Sequence, residues 1–245
     1  MVARFPIRNI HIILFYSILF LFTPLTQDQW IIALALSFVC YVSFDIYYHR
    51  YCSHKSFEIG PFSEDMLQAF CFPLGFRSAI DVVTYHRYHH KYSDTPKDPL
   101  WPTGAPLWKV IIQHPDLQAE VNKTEMIRMS RDIIRHPKHS FVHKYSYTTL
   151  AICLAVLAVW DYTWISVFFG IPALISFLII TFGGAILQHC QGRPLVSRAL
   201  DILSLGLLVN HKHHHDNPTD PRHGTFDLIY PFIWWIREPY SYYNR

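Results

Sequence analysis

Histidines stand in three clusters whose spacing is typical of metal ligands. His49 and His54 are separated by four residues, and the two other clusters share the pattern H-x-x-H-H. On a helix, positions i, i+3 and i+4 project from one face with Cβ atoms about 5 to 6 Å apart, so the imidazoles of one cluster can converge on an ion. The two H-x-x-H-H clusters consist of His86, His89 and His90, and of His211, His214 and His215.

The ligand type restricts the metal but does not decide it, because imidazole suits zinc, copper, iron and nickel. The sequence has no H-E-x-x-H motif, which disfavours a zinc protease, and no E-x-x-H motif, which disfavours a ferritin-like carboxylate bundle. These eight histidines are too many for one ion and suit two, so two irons in an all-histidine shell is the favoured interpretation. His213 is expected to face away. Six further histidines are interpreted as isolated interfacial residues: His11, His114, His136, His139, His143 and His223.

The elements that must position these clusters are membrane spans. The chain of 245 residues is 51% hydrophobic and only 16% charged, and about 20 helical residues cross a bilayer core. Its apolar runs predict four transmembrane helices in two hairpins, at approximately 10–25, 30–48, 148–160 and 164–187. A secretory signal in the first run is disfavoured, since no small-x-small cleavage site follows it.

The distribution of charge orients the predicted spans. All 21 Lys and Arg residues lie outside the four spans and outside both hairpin tips, so the positive-inside rule puts both termini and the histidine clusters in the cytoplasm. The prediction is an all-α integral membrane protein with one domain over 1–245 and a helical cytoplasmic cap formed by 49–147 and 189–245. A net charge of +3 without a basic stripe argues against a nucleic-acid partner. The five cysteines form no C-x-x-C pair and are interpreted as small apolar residues.

Three residues of the second span lie on the face that leads to His49. Phe38, Tyr41 and Asp45 precede it by 11, 8 and 4 positions and could line a substrate tunnel between the helices. Interhelical packing explains the same positions equally well.

The chain resembles the membrane fatty-acid desaturases, and among them the acyl-CoA Δ9 (stearoyl-CoA) type. That family carries three histidine boxes in the order found here. The stretch HRYHHKYSDTPKDP at 86–99 is similar to the family signature H-R-x-H-H-x-x-S-[DE]-T-x-x-D-P, which is more specific than the spacing alone. The resemblance covers nearly the whole chain and implies a histidine-ligated di-iron centre.

The resemblance also implies a ninth iron ligand, His189, at the inner end of the fourth span. The family has an asparagine four residues earlier that holds one iron through water, but this chain has Ala185. Gln188 or Asn210 is expected to replace that contact. The third box lacks the family's glutamate, so the substrate head group is left open.

The implied activity is O2-dependent introduction of a double bond into a fatty acyl chain, carried by CoA or by a related thioester or lipid. The chain contains no haem or Cys-ligated cluster motif, so electrons are expected from a separate protein of the ferredoxin, rubredoxin or cytochrome b5 type. Two alternatives stay open. One is a lipid hydroxylase or ketolase of the same histidine superfamily. The other is a metal transporter or sensor, disfavoured because the predicted spans lack ionisable ligands near their centres.

Overall fold

The computed structural model describes residues 18–19, 22–99, 121–180, 211–224 and 226–238. These residues form helices and no β-strand; an isolated bridge pairs Ile59 with Arg237. The helices are α1 (Gln27–Ser53), α2 (Pro61–Cys71), α3 (Ala79–Tyr92), α4 (Lys123–Met129), α5 (Arg131–Arg135), α6 (Pro137–Asp161), α7 (Thr163–Ile180), α8 (His211–Asp216) and α9 (Tyr230–Ile236).

Three of these helices are long and apolar enough to cross a membrane: α1, α6 and α7. They correspond to the second, third and fourth predicted spans, which confirms an all-helical architecture with candidate membrane-spanning helices for the described residues. The first predicted span, 10–25, lies largely outside the described residues, as does the end of the fourth from 181. The two-hairpin arrangement therefore stays a prediction.

Helix α6 begins well before the apolar run that predicted it. Pro137 occupies its first turn, where the missing N–H costs nothing, and the helix then continues without a break to Asp161. Most of its side chains are exposed in the protein alone, including Val159 and Trp160. An apolar helix with so little protein around it is suited to contact with lipid.

The start of α1 is fixed by a capping box and by a contact to α7. The Thr26 hydroxyl accepts a hydrogen bond from the N–H of Gln29, and the Gln29 side chain accepts one from the N–H of Thr26. The same Gln29 amide donates to the hydroxyl of Thr163 over 2.7 Å. Because α7 packs along α1, the turn between α6 and α7 lies at the end of α1 that is far from His49.

Helices α2 and α3 are joined by a sharp bend of 83°. A short 3-10 turn, Phe72–Leu74, ends at Gly75, whose φ of 80° lies in the left-handed region that favours glycine. Taken together the pair is apolar enough for a broken span or a re-entrant loop. The bend returns α3 to the end of α1, which brings the second histidine box to the first.

Candidate metal centre

The last part of α1 is wound as a π-helix from Phe44 to Ser53. In this winding the hydrogen bond runs from residue i to residue i+5, one residue wider than in an α-helix. Residues five apart, such as His49 and His54, therefore come close to one face, and their ring centroids lie 5.2 Å apart. The π-helix explains why the first box has four intervening residues.

Five imidazoles converge through their Nε2 atoms at this end of α1. The Nε2 of His49 lies 2.9 Å from that of His214, which in turn lies 2.9 Å from that of His90. The chain of contacts continues from His90 to His86 at 3.1 Å and from His86 to His54 at 2.7 Å. One ligand set thus combines residues from α1, α3 and α8.

A second group forms beside the first. The ligand atoms of His89, His211 and His215 lie within 4.8 Å of one another, and the Nε2 atoms of His211 and His215 are 3.0 Å apart. The rings of His90 and His215 stack with centroids 4.2 Å apart, so the two groups are adjacent. Two neighbouring groups of imidazoles are suited to two ions.

Two buried aspartates orient ligands of the two groups. The Nδ1 of His49 lies 2.6 Å from the carboxylate of Asp45, and the Nδ1 of His89 lies 2.9 Å from that of Asp98. A carboxylate fixes the proton on Nδ1 and leaves Nε2 as the free donor that a metal requires. Asp98 also accepts the backbone N–H of Asp94, whose φ of 58° marks a tight turn after α3.

A buried arginine joins the first box to the segment after the third. Arg50 is fully buried, its Nε lies 2.7 Å from Asp45, and its Nη1 lies 2.5 Å from Asp227. It also donates to the carbonyl of Pro221. Asp227 accepts three backbone N–H groups besides, from His223, Ile229 and Tyr230. This network, the Arg50 clamp, holds residues 221–230 against the ligand-bearing end of α1.

A second arginine holds the end of α1 against α3. Arg87 donates to the carbonyls of Cys52 and Ser53, which have no partner further along the helix. Its Nη1 also donates to the carbonyl of Met129 and to Asp132, at 2.6 Å from the latter. Burial alone would raise the pKa of Asp132, but hydrogen bonds from Arg87 and Lys55 lower it below its ordinary value. Arg87 thereby fixes α3 relative to α1 and to the corner between α4 and α5.

Burial keeps two imidazoles of the first group, His54 and His214, neutral. Burial, followed by the neighbouring His49 and Arg87, lowers the pKa of His54 to about 2. Burial and nearby histidines also lower the pKa of His214 well below its ordinary value. A neutral imidazole offers a lone pair to a metal ion, whereas a protonated one does not.

The spacing of these nitrogens fits a shared ion. Nitrogens bound about 2.0 to 2.1 Å from a metal lie about 2.8 to 3.0 Å apart at neighbouring octahedral positions and about 3.3 to 3.4 Å apart in tetrahedral geometry. The contacts of 2.7 to 3.1 Å in the first group are close to the octahedral separation. The donor set therefore suits a metal ion that prefers nitrogen ligands.

The structure brings together eight predicted ligands, all those that lie in the described residues: His49, His54, His86, His89, His90, His211, His214 and His215. His213 lies outside both groups, near Asp220. His189, Gln188, Asn210 and Ala185 lie outside the described residues, and their roles stay predictions.

The predicted tunnel residues occupy different environments. Phe38 is 47% exposed, Tyr41 is buried, and Asp45 is buried against His49 and Arg50. Their lining of a tunnel stays a prediction.

His223 is a member of the cluster that the sequence analysis misses. Its interpretation as an isolated interfacial histidine is wrong, because the side chain is fully buried with ring centroids 4.4 Å from His214 and 5.2 Å from His49. Together with Asp45 and His49 it forms a third group of close potential ligands. It follows the third box by eight residues across a turn, which no helical spacing rule detects.

Among the other residues that contact the cluster, the sequence contains a spacing signal for Asp45 but not for Asp98 or Asp227. Asp45 and His49 stand at i and i+4 on a helix, a spacing that predicts a contact between their side chains. Asp98 follows His89 by nine residues, and Asp227 follows Arg50 by 177 residues. Such long separations give no periodic signal, so only the folded chain shows these pairs.

Comparison with known proteins gives consistent matches. The model of the family described as fatty acid desaturase matches residues 28–236. An acyl-CoA Delta(11) desaturase of Spodoptera littoralis is 26% identical over an alignment of 259 residues with gaps counted, and the alignment covers 94% of this chain and 75% of that protein. A Delta-9 desaturase-like 2 protein of Arabidopsis thaliana is 27% identical, covering 78% of this chain and 67% of its own length. An sn-1 stearoyl-lipid 9-desaturase of Anabaena variabilis is 31% identical over 131 residues, and the alignment covers 51% of this chain and 46% of that desaturase.

Proposed function

The chain belongs to the fatty acid desaturase family, and from this premise we propose that it is an O2-dependent desaturase that introduces a double bond into a fatty acyl chain. We further propose that the chain binds two irons through its histidines and that it receives electrons from a separate donor protein. Family membership supports action on fatty acids at a lipid membrane. The observation that carries the iron centre is the convergence of imidazole nitrogens in two adjacent groups.

The ligand count supports two ions. The first group contains five imidazoles and the second contains three, and we propose that His189 completes the second. Gln188 or Asn210 is proposed to supply the contact that Ala185 does not. Iron is the proposed metal because removing hydrogen from an unactivated methylene group requires redox chemistry, which zinc does not provide.

The proposed reaction consumes O2, two electrons and two protons, and it converts two adjacent methylene groups to a double bond with release of two waters. The bound irons would supply O2 activation. The residues of the chain hold that site in place: Asp45 and Asp98 fix the protons on Nδ1 of His49 and His89, and Arg50 and Arg87 hold the helices. Burial of the cluster excludes bulk water from the reacting carbons.

The acyl chain is proposed to approach from the lipid along α1. Phe38 and Tyr41 precede Asp45 and His49 on successive turns, so an apolar chain running beside them ends at the histidines. The carrier is proposed to be CoA or a membrane lipid; among the matched proteins, one is named an acyl-CoA desaturase and another a stearoyl-lipid desaturase. The electron donor is proposed to be of the ferredoxin, rubredoxin or cytochrome b5 type.

The proposed topology has four spans in two hairpins, with both termini and the metal centre in the cytoplasm. The contact between Gln29 and Thr163 supports it, because the turn between α6 and α7 then lies at the opposite end of α1 from His49. The basic residues follow the same division, with none in that turn.

Expression in a host with a compatible electron donor, followed by mass spectrometry of total fatty acids, tests the activity. We expect a new double bond in cells with the wild-type chain and none with His86→Ala, since His86 lies in the first ligand group. Hydroxylated chains without a new double bond would favour the hydroxylase alternative. Unchanged product in the His86→Ala cells would contradict the metal assignment.

A further inference from the structure

His214 is the ligand with the most contacts at the centre of the first group. Its Nε2 lies 2.9 Å from the Nε2 atoms of both His49 and His90, so this nitrogen faces the ion site. Its Nδ1 therefore faces away from the ion. Nδ1 is buried, and among the residues that the structure describes it has no hydrogen-bond partner.

The other oriented ligands show what this position requires. Nδ1 of His49 has Asp45, and Nδ1 of His89 has Asp98. A metal-bound imidazole almost always donates its second N–H to such a group, which fixes the ring and raises its basicity. His214 needs an equivalent acceptor, because a buried N–H without one loses its hydrogen bonds to water and gains none in the protein.

The ring of His223 lies beside that of His214 and has no hydrogen-bond partner of its own among the described residues. Its ring centroid lies 4.4 Å from that of His214, with the rings inclined by 40°. The side chain is fully buried, and both ring nitrogens lack a hydrogen-bond partner within the described part of the chain. Two buried imidazoles, each with an unsatisfied nitrogen, thus lie side by side.

The backbone holds His223 in this place. Its N–H donates to Asp227 over 2.8 Å, and Asp227 is bound by Arg50, which also contacts Asp45. The Arg50 clamp therefore connects both partners of the first group: Asp45 behind His49, and His223 behind His214. A fully buried imidazole fixed beside a ligand is well placed for a positioning role.

We propose that His223 is the positioning residue for His214: the two rings are not bonded directly, and a ring nitrogen of His223 accepts the hydrogen bond from Nδ1–H of His214 through one buried water. This rests on the proposed metal centre. Neutral His223 performs the role that Asp45 performs for His49, without adding a charge. A carboxylate here would be the second beside the first group, after Asp45, and would add a negative charge that a neutral histidine does not.

Metal affinity tests this role without reference to catalysis. The full chain is purified in detergent, freed of metal, and titrated with Fe²⁺ under anaerobic conditions against a competing coloured chelator. His223→Gln keeps an acceptor of similar size, and His223→Leu removes it. We expect His223→Leu to bind Fe²⁺ about 10- to 100-fold more weakly than wild type, and His223→Gln to remain within about threefold.

His139→Leu is the matched control, since His139 is also a buried histidine but lies in α6 outside the ligand groups. We expect it to bind Fe²⁺ as wild type does. His223→Met replaces His223→Leu if the latter does not fold, as judged by circular dichroism of the metal-free protein.

Three results overturn the inference. Equal affinity of wild type, His223→Leu and His223→Gln shows that the acceptor is not needed, while the metal centre itself stands. Equal weakening of both variants shows that the site needs an imidazole, not a hydrogen-bond acceptor. Absence of Fe²⁺ binding by the wild-type chain overturns the metal centre and the inference together.

Discussion

At the level of single residues, the ligands depend on partners that the spacing rules do not contain. The first box and the two H-x-x-H-H clusters predicted eight imidazole ligands, with helical geometry accounting for convergence only within each H-x-x-H-H cluster, and the structure brings those eight together. Asp45 orients His49 from the same helix, whereas the other orienting residues, Asp98 and His223, lie outside the helices. Their positions depend on how the chain folds back after a helix, which local periodicity does not encode.

Asp98 offers the clearest test of an orienting carboxylate. Asp98→Leu removes the acceptor from Nδ1 of His89 and from the N–H of Asp94. We expect Fe²⁺ affinity to fall about 10- to 100-fold, because the ring of His89 is then no longer fixed. Chelator competition on the purified protein measures this. Asp65→Leu, at an exposed carboxylate that pairs with Lys138, is the control, and equal affinities in both variants would refute the orienting role.

The buried imidazoles also predict how stability depends on pH. The pKa of His54 is about 2 in the folded chain and near the ordinary 6.5 when unfolded, and the pKa of His214 is lowered as well. Below pH 6.5 the unfolded chain takes up protons that the folded chain does not. The free energy of unfolding of the metal-free protein should therefore decrease as the pH is lowered below 6.5, by up to about 1.4 kcal/mol per pH unit for each such histidine.

Thermal unfolding followed by circular dichroism between pH 7.5 and 5 checks this expectation. Above pH 7.5 both states are neutral at these residues, and they contribute no slope. His54→Gln should reduce the slope below pH 6.5, because it removes one of the groups. An unfolding midpoint that is constant or rises on acidification would contradict neutral burial of the cluster.

At the level of helices and turns, the site depends on a helix winding that the sequence did not reveal. A regular α-helix would separate His49 from His54 around the helix axis, whereas the π-helix of Phe44–Ser53 brings them close to one face. Hydrophobic periodicity cannot distinguish these windings within an apolar span. The apolar runs predicted where α1, α6 and α7 lie in the chain. They did not predict that α6 begins at Pro137, because the residues between Pro137 and the apolar run are largely polar.

The Arg50 clamp is the element-level contact that we expect to matter most for stability. Asp227→Ala leaves the buried Arg50 with one carboxylate and frees three backbone N–H groups. Removing one partner of a buried ion pair costs about 3 to 5 kcal/mol, so the variant should unfold at a clearly lower temperature. Thermal unfolding in detergent measures the change.

Lys55→Ala serves as the control for the clamp. Lys55 is 63% exposed and pairs with Asp132 at the surface, where a salt bridge contributes at most about 1 kcal/mol. We expect its unfolding midpoint to stay close to that of wild type. A similar loss in both variants, or none in Asp227→Ala, would show that the clamp does not hold residues 221–230 in place.

At the level of the whole molecule, the separation of charge and histidines from the hairpin tips predicts the orientation in the membrane. A cysteine in place of Tyr162, which is exposed in the turn between α6 and α7, should react with a membrane-impermeant thiol reagent added outside intact cells. A cysteine in place of Lys55 should react only after permeabilisation, because it follows the other end of α1. The reverse pattern would contradict the proposed topology.

The unaltered chain is the control for this labelling: Cys40, Cys52 and Cys71 are buried, Cys153 is partly buried in α6, and the signal of the unaltered chain is subtracted from that of each variant. The sequence predicted the membrane class and the family of the whole molecule because both rest on features repeated along the chain: apolar runs and histidine boxes. The bend at Gly75 and the return of residues 221–230 to α1 were not predictable, since each depends on tertiary contacts.

Metal analysis of the purified chain tests the two-iron centre most directly. Iron, zinc and copper are counted per chain by mass spectrometry in wild type and in His86→Ala, prepared from the same iron-supplemented host. We expect about two irons per wild-type chain and fewer than one per chain of His86→Ala. This variant loses the imidazole that lies between those of His54 and His90. Stoichiometric zinc in place of iron, a single iron per chain, or equal iron in the two proteins would contradict the proposed centre.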